Sequence, residues 1–343
     1  MRLSRAWPEK ILLIQLAFNM GIQKFRLPLA IFLFIVFILS IVQIRLQNPI
    51  LLAERFYPGA GWFELGIIAL YGAFVAYKMQ DPLHVPKWRR ITWTIFSIVF
   101  FTQLILGISG LEKFLMTGKL HLPIPMMILS GPLYRGHLSV MTILFISTII
   151  LTGPAWCSHL CYFGAFDNIA SRGKTQKGKL KNKAAIKYTI LLIIIIVTVA
   201  LRWFNVPIVI ATALGIFFGI AGIGIMVFFS RKKATMIHCV LYCPIGTLVN
   251  LFRYVNPFRM YIDTSCNLCM KCTSFCKYDA LKLSDIRNRK PGITCTLCGD
   301  CHAACKDNSI KYRYFNLNPE LSRNLYLFLT ISLHASFMAM ARI

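Results

Sequence analysis

The stretches Ile186–Leu201, IKYTILLIIIIVTVAL, and Trp203–Phe229, WFNVPIVIATALGIFFGIAGIGIMVFF, decide the fold class, and Lys187 is the one formal charge they contain. A bilayer core needs roughly 20 mostly apolar residues in helical form, because lipid offers no partner to an unpaired backbone group. Working outward, the same pattern recurs at Leu27–Ile44, Trp62–Tyr77, Ile91–Ser109 and Leu138–Leu151, with a weaker seventh stretch at Leu325–Met340. The expected class is therefore an α-helical integral membrane protein of six or seven transmembrane helices. Ile11–Ile22 is apolar too, but it is short and carries Gln15 and Asn19, so it reads as an interfacial amphipathic helix. Composition agrees: 57% of the 343 residues are hydrophobic, 15% are charged, and mean hydropathy is +0.63. A soluble domain carries about 25% charged residues, so a water-soluble enzyme with a single core is excluded.

Lysine and arginine total 38 against 12 acidic residues, a net charge of +26. With the N-terminus inside, segments 1–26, 78–90, 152–186 and 230–324 hold thirty of the basic residues; the outside segments hold seven. Positive residues stay on the cytoplasmic side, which orients a multi-pass protein of the inner membrane. The run Arg172–Lys187, RGKTQKGKLKNKAAIK, reads as a solvated inner loop touching lipid headgroups. No aromatic residues interleave its charges, so nucleic acid is not an expected partner. Gly215 and Gly219, four apart, with Gly222 and Gly224 nearby, predict close helix–helix packing.

The cysteines carry the chemistry. Cys266, Cys269, Cys272 and Cys276 form C-x2-C-x2-C-x3-C, and Cys295, Cys298, Cys301 and Cys305 repeat it 29 residues later. In two-cluster ferredoxins the fourth cysteine of each run ligates the other cluster. That assigns Cys266, Cys269, Cys272 and Cys305 to one [4Fe-4S] centre, and Cys295, Cys298, Cys301 and Cys276 to a second. Zinc usually takes one or two C-x2–4-C pairs, which suits these runs poorly. Lys277 and Lys306 stand where a proline commonly follows each run. They bring a cation to each centre, or dock a partner, while Asp263, Asp279, Asp300 and Asp307 oppose their charge. A second repeat joins Cys157 and Cys161, in AWCSHLCYFGAF, to Cys239 and Cys243, in IHCVLYCPIGTL, at a shift of 82 that also overlays Gly164 on Gly246 and Asn168 on Asn250. A spacing of four places two thiols on one helix face, and two such faces could offer four thiolates to a third iron–sulfur centre at the membrane boundary. Reduced buried thiols, a thiol–disulfide pair or a zinc site remain open for these four.

On these motifs residues 90–315 resemble the membrane polyferredoxins of the NapH, NosR and CcoG type, including the FtrD-like members tied to iron uptake. In that family the first C-x3-C usually also reads C-P; here Tyr162 takes that place. The resemblance implies electron transfer between a quinol or an outer-face donor, such as a metalloprotein or cytochrome, and cytoplasmic [4Fe-4S] clusters. The role would be that of an electron-transfer component or quinol dehydrogenase subunit within a complex. Expected domains are an interfacial segment 1–26, a transmembrane domain 27–253, a small α+β two-[4Fe-4S] ferredoxin-like domain 254–318, and a membrane-associated or spanning helix 319–343.

The outer loop Gly110–Gly136 offers Glu112 and His121, with His137 just beyond, as residues able to exchange protons with a quinone or hold a metal; capping or pairing with Lys113, Lys119 or Arg135 is the plainer role for each. His159 and His238 adjoin the C-x3-C cysteines in structural or tuning positions. His302 lies inside the second run, His334 faces a packed or lipid surface, and Gln103 is a single polar residue in a span; no role follows for them. A second function class also fits the thiols, a metal-handling or assembly factor that reduces or delivers copper or iron. A transporter does not, since no span carries paired charges.

Overall fold

In a computed structural model, residues 6–46, 49–114, 123–172 and 180–340 are described, leaving aside the side chains of 6–23 and 140. Among the described residues six helical stretches are long and apolar enough to cross a membrane: Lys24–Arg45, Gly61–Met79, Val85–Ile108, Met141–Leu160, Lys183–Trp203 and Ile208–Lys233. All six overlap the sequence-predicted spans; three extend them at both ends, and the other three, Val85–Ile108, Met141–Leu160 and Ile208–Lys233, extend them at one end only. Those ends are polar or aromatic residues that continue the helix without raising its hydropathy, as at Lys183 and Trp203.

The first of these lies in α1, Ala6–Arg45, a continuous helix that also includes Ile11–Ile22. The stretch expected as a separate interfacial helix is thus the leading part of α1. Helices α2 (Gly61–Met79) and α3 (Val85–Ile108, with Pro86 in its first turn, where no amide is missed) follow. Then come α4 (Met127–Arg135) and α5 (Val140–Thr152), the latter starting from Ser139, whose hydroxyl accepts the Thr142 amide at 3.3 Å. α6 (Tyr162–Ala170), α7 (Lys183–Trp203), α8 (Ile208–Ile225) and α9 (Pro244–Phe252) complete the cysteine-bearing half. The glycine face of α8 meets the expectation only in part: Gly215 meets a helix residue, Gly219 and Gly222 meet a loop residue and a residue of a π-helical turn, and Gly224 meets nothing within 4 Å. A Cβ on Gly215 would lie 2.1 Å from Met127 Cε, on Gly219 3.1 Å from Ile124, and on Gly222 2.8 Å from His238.

The last helix, α10 (Pro319–Met340), is not one of the six apolar stretches. It packs on α1, α2, α3 and α5, burying Tyr326, Leu327, Ile331, His334 and Phe337. Its buried face also carries Thr330, Ser332 and Ser336, which lower its hydropathy because that face meets protein. His334 is likewise internal. Its Nε2 contacts the Tyr71 hydroxyl at 3.0 Å and its Nδ1 the His159 carbonyl at 3.2 Å.

The 254–318 region is a small α+β unit. Strands β1 (Phe258–Ile262) and β2 (Ile310–Tyr314) pair antiparallel, Phe258 opposite Tyr314 and Ile262 opposite Ile310. Alternation buries Phe258, Met260, Ile262, Ile310 and Tyr312, as one buried sheet face requires. The 29-residue repeat is conformational as well as chemical: left-handed backbone recurs at Leu268 and Leu297, Met270 and Gly299, and Asp279 and Asn308. Each run turns twice through this conformation, then forms a five-residue helix, Lys271–Phe275 or Asp300–Ala304.

Candidate metal centres

The two C-x3-C elements share one construction. A π-helical turn, Trp156–Leu160 or His238–Tyr242, closes when the second cysteine's amide donates to the carbonyl five residues back, Cys161 to Trp156 at 3.0 Å and Cys243 to His238 at 2.8 Å. Cys161 (φ −80°, ψ 110°) and Cys243 (φ −69°, ψ 118°) are both extended, ending the turn and preceding α6 and α9. The expected α-helical face is therefore replaced by a wider turn and a break. Tyr162 fills the first position of α6 as Pro244 fills that of α9, so the turn keeps its shape without the proline. Gly164 and Gly246 let each following helix settle on its own turn: a Cβ there would lie 3.2 Å from the Cys157 carbonyl and 2.9 Å from the Cys239 carbonyl.

All four of these cysteines, Cys157, Cys161, Cys239 and Cys243, line one small cavity together with Phe163, His238 and Ile245. Burial pushes the Cys161 thiol up to about 12, against the pull of the Phe163 and Gly164 amides; the Ile245 and Gly246 amides do the same at Cys243. Amides aimed at sulfur and a closed cavity suit thiolates carried on a cationic core, because bare thiolates would not survive that burial. Burial also pushes His238 down to about 3, a neutral imidazole.

In the ferredoxin-like unit, Cys266, Cys269, Cys272 and Cys305 line one pocket with Asp307. The sulfur neighbours that raise Cys272, after burial, are Cys305, Cys266 and Cys269. Those of Cys301 are Cys298, Cys276 and Cys295, with Cys272 last. Cys305 thus neighbours the cysteines of the first run and Cys276 those of the second, and Ala280 donates its amide to Cys276 Sγ at 3.3 Å. All twelve cysteines are free of disulfides. Among the described residues no three or more His, Cys, Asp or Glu side chains are arranged to hold a single ion.

Several residues without a motif join the sets, and sequence reasoning missed them. Tyr278, buried behind Cys276, donates its hydroxyl to the Cys157 carbonyl at 3.0 Å, and Cys239, Cys298 and Cys157 are its sulfur neighbours. Arg89 is fully buried; it pairs with Asp300 at 2.8 Å and donates to the Ser158 carbonyl at 3.2 Å. Trp93 beneath it donates to the Cys161 carbonyl at 2.6 Å, and Ser158 donates to the Thr296 carbonyl at 3.0 Å. Three of the four aspartates are committed: Asp300 to Arg89, Asp263 to Lys311 and Asp279 to Lys183.

Lys187 also departs from expectation. It is not part of a solvated loop; it is 3% exposed in the second turn of α7 and shares a small cavity with Cys157, Cys239, Tyr278 and Thr296. Its ammonium reaches the Gly246 carbonyl at 3.4 Å, and no carboxylate pairs with it among the described residues. A buried cation is costly without a counter-charge. Neutral thiols supply none; a cysteine-ligated cubane, whose four thiolates outweigh its core charge, supplies one. Of the basic run, residues 173–179 lie outside the described residues, and Leu180 and Lys183 clamp onto Asp279 instead of lipid.

Glu112 and His137 are exposed, and His121 lies outside the described residues. A cavity of about 550 Å³ opens instead between α4, α7 and α8, apolar apart from groups such as Ser130, Tyr134, Arg135, Thr198 and Thr212. Tyr242, one residue before Cys243, forms part of its wall. Among the described residues no carboxylate or imidazole lines it. His159 points its Nδ1 at the Ser158 hydroxyl, and His302 its Nδ1 at the Ile310 carbonyl.

No curated protein and no solved structure matches the chain. Residues 135–182, which contain Cys157 and Cys161, match a family described as a 4Fe-4S binding domain, and that match supports an iron–sulfur protein.

Proposed function

We propose that the chain is a membrane electron relay holding three [4Fe-4S] centres. The ligands are Cys157, Cys161, Cys239 and Cys243 at the membrane boundary, Cys276, Cys295, Cys298 and Cys301 next to them, and Cys266, Cys269, Cys272 and Cys305 farthest out. Cubanes so held would exchange single electrons with one another. The observation that carries this reading is the sorting of twelve cysteines into three fours, the inner two stitched together through Tyr278, Arg89 and Ser158. Those three residues fix the relative position of the sets and keep water from between them. A carrier of loose copper or iron needs ligands open to exchange, and Cys157 and Cys243 are buried.

At the membrane end the partner is a quinol, whose size and polarity the apolar cavity suits; its two electrons would pass one at a time into the clusters and its two protons to water at the open side of the cavity, and Tyr242 brings the cavity wall to Cys243. The membrane is the bacterial-type inner membrane, with residues 254–318 on its cytoplasmic side. A water-soluble quinol analogue added anaerobically to the oxidised protein tests this. Expected is bleaching of the visible iron–sulfur absorption in the wild type, slowed at least tenfold in Cys157→Ser/Cys239→Ser. Equal rates in the two proteins would mean that the membrane set is not on the path.

A further inference from the structure

A cleft of about 1170 Å³ opens beside the outermost cysteine set, with Cys305 in its wall. Basic side chains dominate it: Arg90 and Arg172 from the membrane-side segments, and Lys271, Lys277 and Lys306 from the cysteine runs. Its two carboxylates are already engaged, Asp300 with Arg89 and Asp81 with His84, each at 2.8 Å. Lys271 and Lys306 are exposed, and Phe275 between the cations is 48% exposed. An apolar patch ringed by charges of one sign is the form of a steered, transient protein interface.

We infer that this cleft docks a soluble, acidic, one-electron carrier protein, a deduction that rests on the outer cysteine set holding a cluster. The redox step fits such a partner: one electron passes between carrier and centre, and no bond or proton is exchanged. A hydride donor would need a flavin at the same place to split its electron pair. Anionic lipid headgroups share the charge of the expected partner, but Lys271, Phe275 and Lys306 belong to the ferredoxin-like unit and not to a membrane-length helix.

The test uses the full chain in phosphatidylcholine nanodiscs with flavodoxin as the acidic probe and cytochrome c as the basic control. Binding of oxidised flavodoxin is read by flavin fluorescence anisotropy, and electron exchange with reduced flavodoxin by stopped flow. Lys271→Glu/Lys306→Glu is expected to weaken flavodoxin binding and slow exchange about tenfold or more, with both falling steeply as salt rises. Arg45→Glu/Lys113→Glu, equal in charge change and carried at the end of α1 and just past the end of α3, remote from the cleft, is expected to change neither by more than about twofold. Equal effects of the two variants, or preferential binding of cytochrome c, would overturn the proposal. So would loss of flavodoxin binding in phosphatidylglycerol nanodiscs, which would show headgroups filling the cleft. Iron content, measured on each sample, keeps the two ideas apart: an iron-free chain that still binds flavodoxin through Lys271 and Lys306 refutes the relay and not the cleft.

Discussion

Lys187 is a charge in search of a partner. A unit charge about 6 Å from a cluster at an effective dielectric of about 20 contributes about 3 kcal/mol. Removing it disfavours the more negative, reduced state. Lys187→Met is therefore expected to lower the potential of the membrane-boundary centre by on the order of 100 mV, read by EPR-monitored redox titration, while Lys187→Arg restores most of it. An unchanged potential would mean that the ammonium answers to something else. Arg89 is the complementary case, a buried cation with its anion in place. Breaking such a pair from one side costs about 3–5 kcal/mol. Arg89→Met should accordingly lower the thermal midpoint and expose the 254–318 unit to limited proteolysis at a temperature the wild type resists. Neither residue announced itself. Arg89 looks like one more inner-loop cation in the sequence, and Lys187 the end of a basic run; only packing reveals that both are buried against cysteine-bearing turns.

The repeated elements were the most legible part of the chain. Shifts of 82 and 29 residues identify the paired turns and the paired cysteine runs, and the backbone repeats at the same shifts, down to the carbonyl contacts of Gly164 and Gly246 and the left-handed residues of each run. The π-helical turn was not legible, because a spacing of four suits an α-helical face equally well and no residue type marks the wider hydrogen bond. Helix α10 was only half legible: polar residues that serve an internal face look like the end of a membrane signal. A single methyl tests the shared construction. Gly246→Ala would press a Cβ within 2.9 Å of the Cys239 carbonyl. It should cost the membrane-boundary centre its iron, about four atoms per chain, and leave the other two centres' EPR signals intact. Full iron retention would show that the turn tolerates the displacement.

Across the whole molecule, sulfur runs from the membrane boundary through Tyr278 to the paired cysteine runs and ends at a cationic cleft. The apolar cavity lies at the other end, beside Tyr242. Glu112, His121 and His137 are the titratable residues of an apolar segment in the sequence, but Glu112 and His137 are exposed, and the cavity forms from α4, α7 and α8 instead. The direct measurement of the central claim is iron and acid-labile sulfide per chain, on anaerobically purified wild type and Cys157→Ser/Cys239→Ser. Three cubanes predict about twelve irons falling to about eight. About eight in both proteins, or zinc in place of iron, would contradict the account.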